Sequence, residues 1–256
     1  MKKLLLILLC LPMIGFGQDG QVKKYVLFYS WINATEVLKE EGIYKDGKEE
    51  GLFRYYLSEE LLVEGIYKNG KEEGLFKYYY GNGQLQIVAD FKDGKFNGST
   101  KYYYEDGQLQ MEASFKDGKL DGLRQDWYEN GQLELKGNFK GGKEDGLFQK
   151  WTENGQLYEK SNFKDGEFDG LYQDWYENGK RLNENNYKDG KFDGLCKLYY
   201  ENGQLKEQCN VKDGVPNGLH QWWYENGQLE YQNHYKMGEL ISEKCWDEGG
   251  KEIDCE

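Results

Sequence analysis

Residues 122–145 read GLRQDWYENGQLELKGNFKGGKED, and the same pattern begins again at Gly146. This stretch predicts one β-hairpin. A first strand covers Leu123 to Tyr128, the turn falls at Asn130-Gly131, and a second strand covers Leu133 to Phe139 before Gly141-Gly142 turns the chain again. Asn-Gly between aromatic or apolar runs is a strong short-range hairpin signal. The type I′ turn expected there needs positive φ at both central residues.

Working outward, the unit repeats. Its opening glycine falls at 51, 74, 98, 122, 146, 170, 194 and 218, one interval of 23 residues followed by six of 24. The glycine of a Lys-Asp-Gly type turn falls at 47, 70, 94, 118, 142, 166, 190, 214 and 238, and the tip glycine at 83, 107, 131, 155, 179, 203 and 227. Three markers on one period define a repeat architecture. The ends are irregular, as terminal units of an array are. Lys24 to Gly47 forms a leading unit with a degenerate tip near Asn33-Ala34. The unit from Gly51 carries Ser58-Glu59-Glu60 in place of Asn-Gly, and the last, Gly238 to Glu256, is short and turns at Gly249-Gly250. No linker divides residues 18–256, which therefore form one array of about nine hairpin units.

The expected fold is all-β: an elongated single-layer antiparallel sheet of tandem hairpins with a period of about 24 residues. Stacked at about 4.8 Å per strand, the array would extend on the order of 80–90 Å. Counting across a two-residue tip at Asn82-Gly83 places Tyr80 opposite Leu85, Tyr78 opposite Ile87, Phe76 opposite Ala89 and Gly74 opposite Phe91, all on one side. Tyr79, Lys77 and Leu75 lie on the other. The pairings Gly74 with Phe91, Gly122 with Phe139 and Gly218 with Tyr235 suggest a ring seated over bare backbone.

Composition agrees with a thin repetitive sheet. Aromatic residues (Tyr 22, Phe 12, Trp 7) supply much of the 38% hydrophobic content, beside 34 glycines and only two prolines. The net charge of −13 excludes nucleic acid as a partner and argues against electrostatic binding to anionic membrane.

Residues 1–17 read as a secretory signal peptide: Lys2 and Lys3, an apolar run from Leu4 to Phe16, and Gly15-Phe16-Gly17 before Gln18. Cleavage near Gly17/Gln18 leaves 31 basic against 46 acidic residues, a charge of −15. The expected location is therefore periplasmic, outer-surface or secreted.

Units such as GLYQDWYENGKRLNENNYKDGKFDG (170–194) and GLRQDWYENGQLELKGNFKGGKEDG (122–146) resemble MORN repeats. They are closest to a bacterial variant often labelled an antitoxin component (YwqK-like). The resemblance implies an antiparallel sheet of hairpins and contact with proteins or lipids, and it implies no reaction. An intracellular neutralising role fits poorly with an export signal.

Four cysteines remain after the leader. Cys196 and Cys209 oppose each other across the Asn202-Gly203 tip, where a disulfide is expected. Cys245 and Cys255 can oppose across Gly249-Gly250 if that loop takes three residues, giving a second. The alternative is free buried thiols. No Cys-x₂-Cys spacing supports a zinc site built from the four. His220 opposes Asn233 and His234 opposes Leu219 across the Asn226-Gly227 tip, so the two rings fall on opposite faces and make no metal pair or catalytic dyad. Ser and Thr form no nucleophile arrangement with a histidine and a carboxylate. Asp121, Asp145, Asp169 and Asp193 recur at turn positions, where a short carboxylate bonds turn backbone, and their repetition argues against a single active site. The Asp-Gly turns match no calcium-loop spacing. No enzyme activity, metal or cofactor is expected.

One row remains: Tyr79, Tyr103, Trp127, Trp151, Trp175, Tyr199 and Trp223 occupy one position per unit. Either these rings stack on one another and hold the ribbon, or they form a binding face for a protein. A polysaccharide stacking on the ladder is the alternative ligand. The sequence thus points to an exported interaction scaffold.

Overall fold

The computed structural model describes residues 13–16, 21–29 and 35–255, with side chains from residue 39 onward. Most of the expected leader, and the degenerate tip at Asn33-Ala34, lie outside the described residues. Contacts divide the chain into two units, ending at Leu120 and beginning at Asp121.

In the first unit the strands are β1 (Met13–Phe16), β2 (Gln21–Tyr29), β3 (Thr35–Lys45), β4 (Lys48–Leu57), β5 (Glu60–Lys68), β6 (Lys71–Tyr79), β7 (Leu85–Lys92), β8 (Lys95–Tyr103) and β9 (Leu109–Lys116). β10 (Lys119–Trp127) leads into the second unit, which continues with β11 (Leu133–Lys140), β12 (Lys143–Glu144), β13 (Gly146–Trp151), β14 (Leu157–Lys164), β15 (Glu167–Phe168) and β16 (Gly170–Trp175). It ends with β17 (Arg181–Lys188), β18 (Lys191–Tyr199), β19 (Leu205–Lys212), β20 (Val215–Trp223), β21 (Leu229–Lys236), β22 (Glu239–Trp246) and β23 (Glu252–Ile253). Within each unit strands pair antiparallel with sequence neighbours, as in β6 with β7, β18 with β19 and β20 with β21, while β11 takes both β12 and β13 and β14 takes both β15 and β16. The all-β tandem-hairpin fold is as the period requires. No helix among the described residues is long and apolar enough to cross a membrane.

The tip turn does not have the geometry expected of it. At the Asn-Gly tip the Gly83 N–H donates to Tyr80 O at 2.9 Å, and Tyr80 N–H donates to Gln84 O at 2.8 Å. Gly83 has φ 82°, while Asn82 stays at negative φ. This is a type I turn closed by a left-handed glycine, a three-residue loop with a G1 bulge, and not the expected type I′ turn. Tyr79, not Tyr80, therefore pairs with Leu85. Asn82 contributes through its side chain, whose Oδ1 accepts from Gln84 N–H at 2.9 Å. The type I′ geometry sits at the other turn, where Asp93 (φ 51°) and Gly94 (φ 79°) join Lys92 to Lys95.

The glycine seats are also redistributed. Gly74 does pair with Phe91, Gly122 with Phe139 and Gly218 with Tyr235. A Cβ on Gly74 would nevertheless meet nothing within 4 Å, so its φ of 76° is what requires glycine. The rings lie over different glycines. Added Cβ atoms on Gly42, Gly65 and Gly137 would stand 2.2, 2.3 and 2.2 Å from Phe53, Phe76 and Phe148. Large-over-small packing of this kind buries Phe53, Phe76 and Phe148 almost completely in a sheet without a second layer. In the first unit ring contacts run from Tyr44 through Phe53, Tyr67, Phe76, Phe91 and Phe96 to Phe115. In the second they run from Phe139 through Phe148, Phe163, Phe168 and Tyr187 to Phe192.

Candidate functional site

In each unit the face opposite those rings carries three kinds of row. The first is apolar: Leu52, Leu75, Leu123, Leu147 and Leu171 follow the opening glycines and are between 36% and 47% exposed. The second is polar and cross-paired. Lys77 lies 3.3 Å from Glu64, Lys101 is 3.3 Å from Glu112, and Gln173 Nε2 donates to Glu184 at 2.9 Å. The third is the aromatic row.

All seven aromatic-row residues, Tyr79 to Trp223, are half-buried. Within each unit they occur on every second strand, so successive rings there stand about 10 Å apart and cannot stack on one another. That corrects the expectation that mutual stacking holds the sheet: the ring-to-ring chains run on the opposite face. Row members instead lean on polar neighbours. Arg181 lies 5.7 Å from the Trp175 ring, and Tyr79 Oη donates to Glu64 at 3.0 Å. Burial and the Glu64 bond push the Tyr79 phenol up to about 12. Burial alone would raise Glu64, but donation from Tyr79, Lys77 and Arg54 outweighs it and holds the carboxyl below its ordinary value.

The row is fixed by its neighbours in sequence. A tyrosine following a row member donates to the carbonyl of the next one: Tyr80 to Tyr103 at 2.6 Å, Tyr128 to Trp151 at 2.8 Å, Tyr176 to Tyr199 at 2.8 Å and Tyr200 to Trp223 at 2.7 Å. Tip asparagines repeat the device, as Asn178 Nδ2 to Glu201 O at 3.0 Å. The turn carboxylates do likewise. Asp121 accepts from Gly141 N–H at 3.0 Å, Asp169 from Asp189 N–H at 3.4 Å and Asp193 from Asp213 N–H at 3.2 Å, each bonding a turn one unit further along.

The cysteines divide. Cys245 and Cys255 form a disulfide with Cα atoms 5.4 Å apart. The bridge is diagonal, since Cys245 pairs with Ile253 and Cys255 lies beyond β23. Cys196 and Cys209 are opposite each other, as counted, but are free buried thiols, a correction to the expected bridge. The Cys196 thiol donates to Gly194 O at 3.9 Å, and the facing thiols hold the Cys196 pKa below its ordinary value and, together with burial, raise that of Cys209. His220 and His234 fall on opposite faces, with the partners expected.

Counting across one tip misses what the next turn brings together. A register shift between Cys209 and Val211 sets Cys209 opposite His220 on β20. Donor atoms of Glu207, Cys209 and His220 lie within 4.8 Å of one another, with His220 Nε2 2.7 Å from Glu207 Oε1. The signal in sequence was Gly218, whose positive φ of 109° accompanies the bulge that moves the register.

With this geometry in place, the chain is seen to be a MORN-type repeat protein. Seven segments match the family described as MORN repeat variant, at residues 72–93, 96–117, 120–140, 144–165, 168–189, 192–213 and 216–237. The chain belongs to that family. Its repeats build all-β scaffolds for contact with proteins or membranes and are in general non-enzymatic. No curated protein matches the sequence.

Proposed function

We propose that the protein is a non-enzymatic, exported scaffold that binds another protein in the cell envelope or outside the cell. The observation that carries this reading is the three-row face. Exposed leucines such as Leu123, Leu147 and Leu171 and the rings of Trp127, Trp151 and Trp175 flank a row of polar side chains at a constant step. Alternating apolar and ion-paired rows suit a folded protein surface, where buried rings anchor and polar groups set register. They suit hydrocarbon poorly, because Lys77–Glu64 and Lys101–Glu112 would have to be desolvated. Export rests on residues 1–17, and an antitoxin-like role is not part of the proposal.

Evenly spaced tryptophans favour a second reading, in which a cell-wall or other polysaccharide stacks along the row. A pull-down from envelope extract with the oxidised protein, before and after protease treatment of the extract, separates the two. One recovered protein that disappears after proteolysis supports the scaffold. Glycan retained after proteolysis, with tryptophan fluorescence quenched by free oligosaccharide, refutes it in favour of wall binding.

A further inference from the structure

The buried row of the second unit changes its chemistry partway along. Phe148 is followed at steps of 24 residues by Tyr172, Cys196 and His220. On the intervening strands Gly137 is followed by Ser161, Asn185 and Cys209. Where the row begins, a phenyl ring reaches back over a glycine on the preceding strand. By its end the same reach carries the His220 imidazole over Cys209. The chain of ring contacts stops at Phe192, and a cleft of about 240 Å³ opens there, lined among others by Asn185, Phe192, Cys196, Glu207 and Cys209.

We propose that Cys196, Glu207, Cys209 and His220 form a four-coordinate site for a zinc-class divalent ion. Two thiols, an imidazole and a carboxylate are the donors that zinc takes in a tetrahedron with bonds of about 2.0 to 2.3 Å. This mixed, sulfur-rich set selects zinc over calcium or magnesium, which prefer oxygen alone. Three of the donors already lie within 4.8 Å of one another. The fourth, Cys196, is directly opposite Cys209 on the neighbouring strand, and both line the same cleft. Both thiols are 8% exposed, so an ion held there would be shielded from solvent.

A second observation points the same way. A metal-bound imidazole donates its other ring N–H to a nearby oxygen. Asn233, opposite His220 on β21, holds a buried Oδ1 with no hydrogen-bond partner. Trp222 stacks on the imidazole at 3.7 Å between centroids and restricts its rotation. Zinc would tie β18, β19 and β20 together beyond Phe192, where that run of ring contacts stops, and would compete with any disulfide between Cys196 and Cys209.

The test is cobalt(II) titration of the tag-free full chain with both of these thiols reduced. One equivalent should bind, giving thiolate-to-cobalt charge-transfer absorption and the visible bands of tetrahedral cobalt, and one equivalent of zinc should displace it. Cys245→Ser with Cys255→Ser should bind as the parent does, which excludes the other cysteine pair as the source. Cys196→Ser with Cys209→Ser should lose the charge-transfer band, and His220→Asn should lose tetrahedral binding. Asn233→Ala should weaken zinc by about 10- to 100-fold. Circular dichroism and metal-free melting establish that each variant is folded. Absence of tight binding, or binding that survives loss of both thiols and His220, overturns the site. So does a protein isolated from metal-buffered medium with Cys196 and Cys209 bridged and unable to take zinc.

Discussion

The phenyl ring of Phe148 occupies the space a side chain on Gly137 would need: a Cβ there would stand 2.2 Å from the ring. Gly137 does not have a left-handed φ, so its requirement for glycine is steric and not conformational. Gly137→Ala should therefore destabilise by about 1–3 kcal/mol through overpacking. The same substitution in a Phe148→Thr background should cost little further, because Ala89 already pairs with Thr100 in the first unit. Urea denaturation of the four proteins in this double-mutant cycle measures the difference.

Gly94 presents the opposite case. Its added Cβ would touch only the movable end of Glu72 at 3.2 Å and the Lys71 side chain, yet φ is 79°. Gly94→Ala should cost about 1–2 kcal/mol through the left-handed backbone, and no substitution in a neighbouring ring should relieve it. Gly94→Asn should recover part of the loss in the same denaturation assay, because asparagine tolerates this conformation.

This contrast indicates how much the sequence disclosed. Period, strand positions, the Cys196–Cys209 register and the family resemblance were all legible, because each depends on spacing within one unit. Which glycine seats a ring was not. Gly65 and Phe76 meet across the Asn69-Gly70 turn and a register shift between Glu64 and Ile66, which counting alone does not locate. The same kind of shift concealed the approach of His220 to Cys209. The expected type I′ tip failed because Asn-Gly also suits a type I turn with a glycine bulge, and only φ separates the two. The aromatic row was visible as a pattern, but its half-burial depends on cross-strand neighbours such as Arg181.

Thr152 stands where the other units carry the tyrosine that reaches the next carbonyl. Its hydroxyl turns back to Asn154 and Gln156, and Gln156 Nε2 bonds Tyr176 O at 2.9 Å instead. Thr152→Tyr should supply the missing bond to Trp175 O and add about 0.5–1.5 kcal/mol. Tyr176→Phe should remove a comparable amount. Hydrogen exchange should place both effects within the two adjoining hairpins, since each repeat contacts only its neighbours.

Glu64 links three donors on the outer face: Arg54 at 3.3 Å, Lys77 at 3.3 Å and Tyr79 at 3.0 Å. Its folded pKa lies below the ordinary 4.5. The stabilisation is therefore complete above that value and is lost as pH falls through the lowered one. Glu64→Gln should cost about 1 kcal/mol at neutral pH. The gap between variant and parent should close in acid, and paired melts at about pH 7 and pH 3 measure it.

The Cys245–Cys255 bridge spans a separation of 10 residues at the last described hairpin. Cys245→Ser should release the β22–β23 pairing at a cost of about 2–3 kcal/mol. Exchange should accelerate at Cys245 and Trp246, which pair with Ile253 and Glu252, while Cys209 to His220 stays protected.

The bond from Tyr128 to the Trp151 carbonyl has its counterpart between Tyr176 and the Tyr199 carbonyl, each spanning 23 residues. Such a bond recognises a place in the period and not a particular partner. If residues 146–169 were excised, Trp175 would arrive where Trp151 had been, and Tyr128 would find the same carbonyl. The chain can therefore gain or lose whole units without inventing a new joint, so its reach is open to change by duplication while its stitching stays constant.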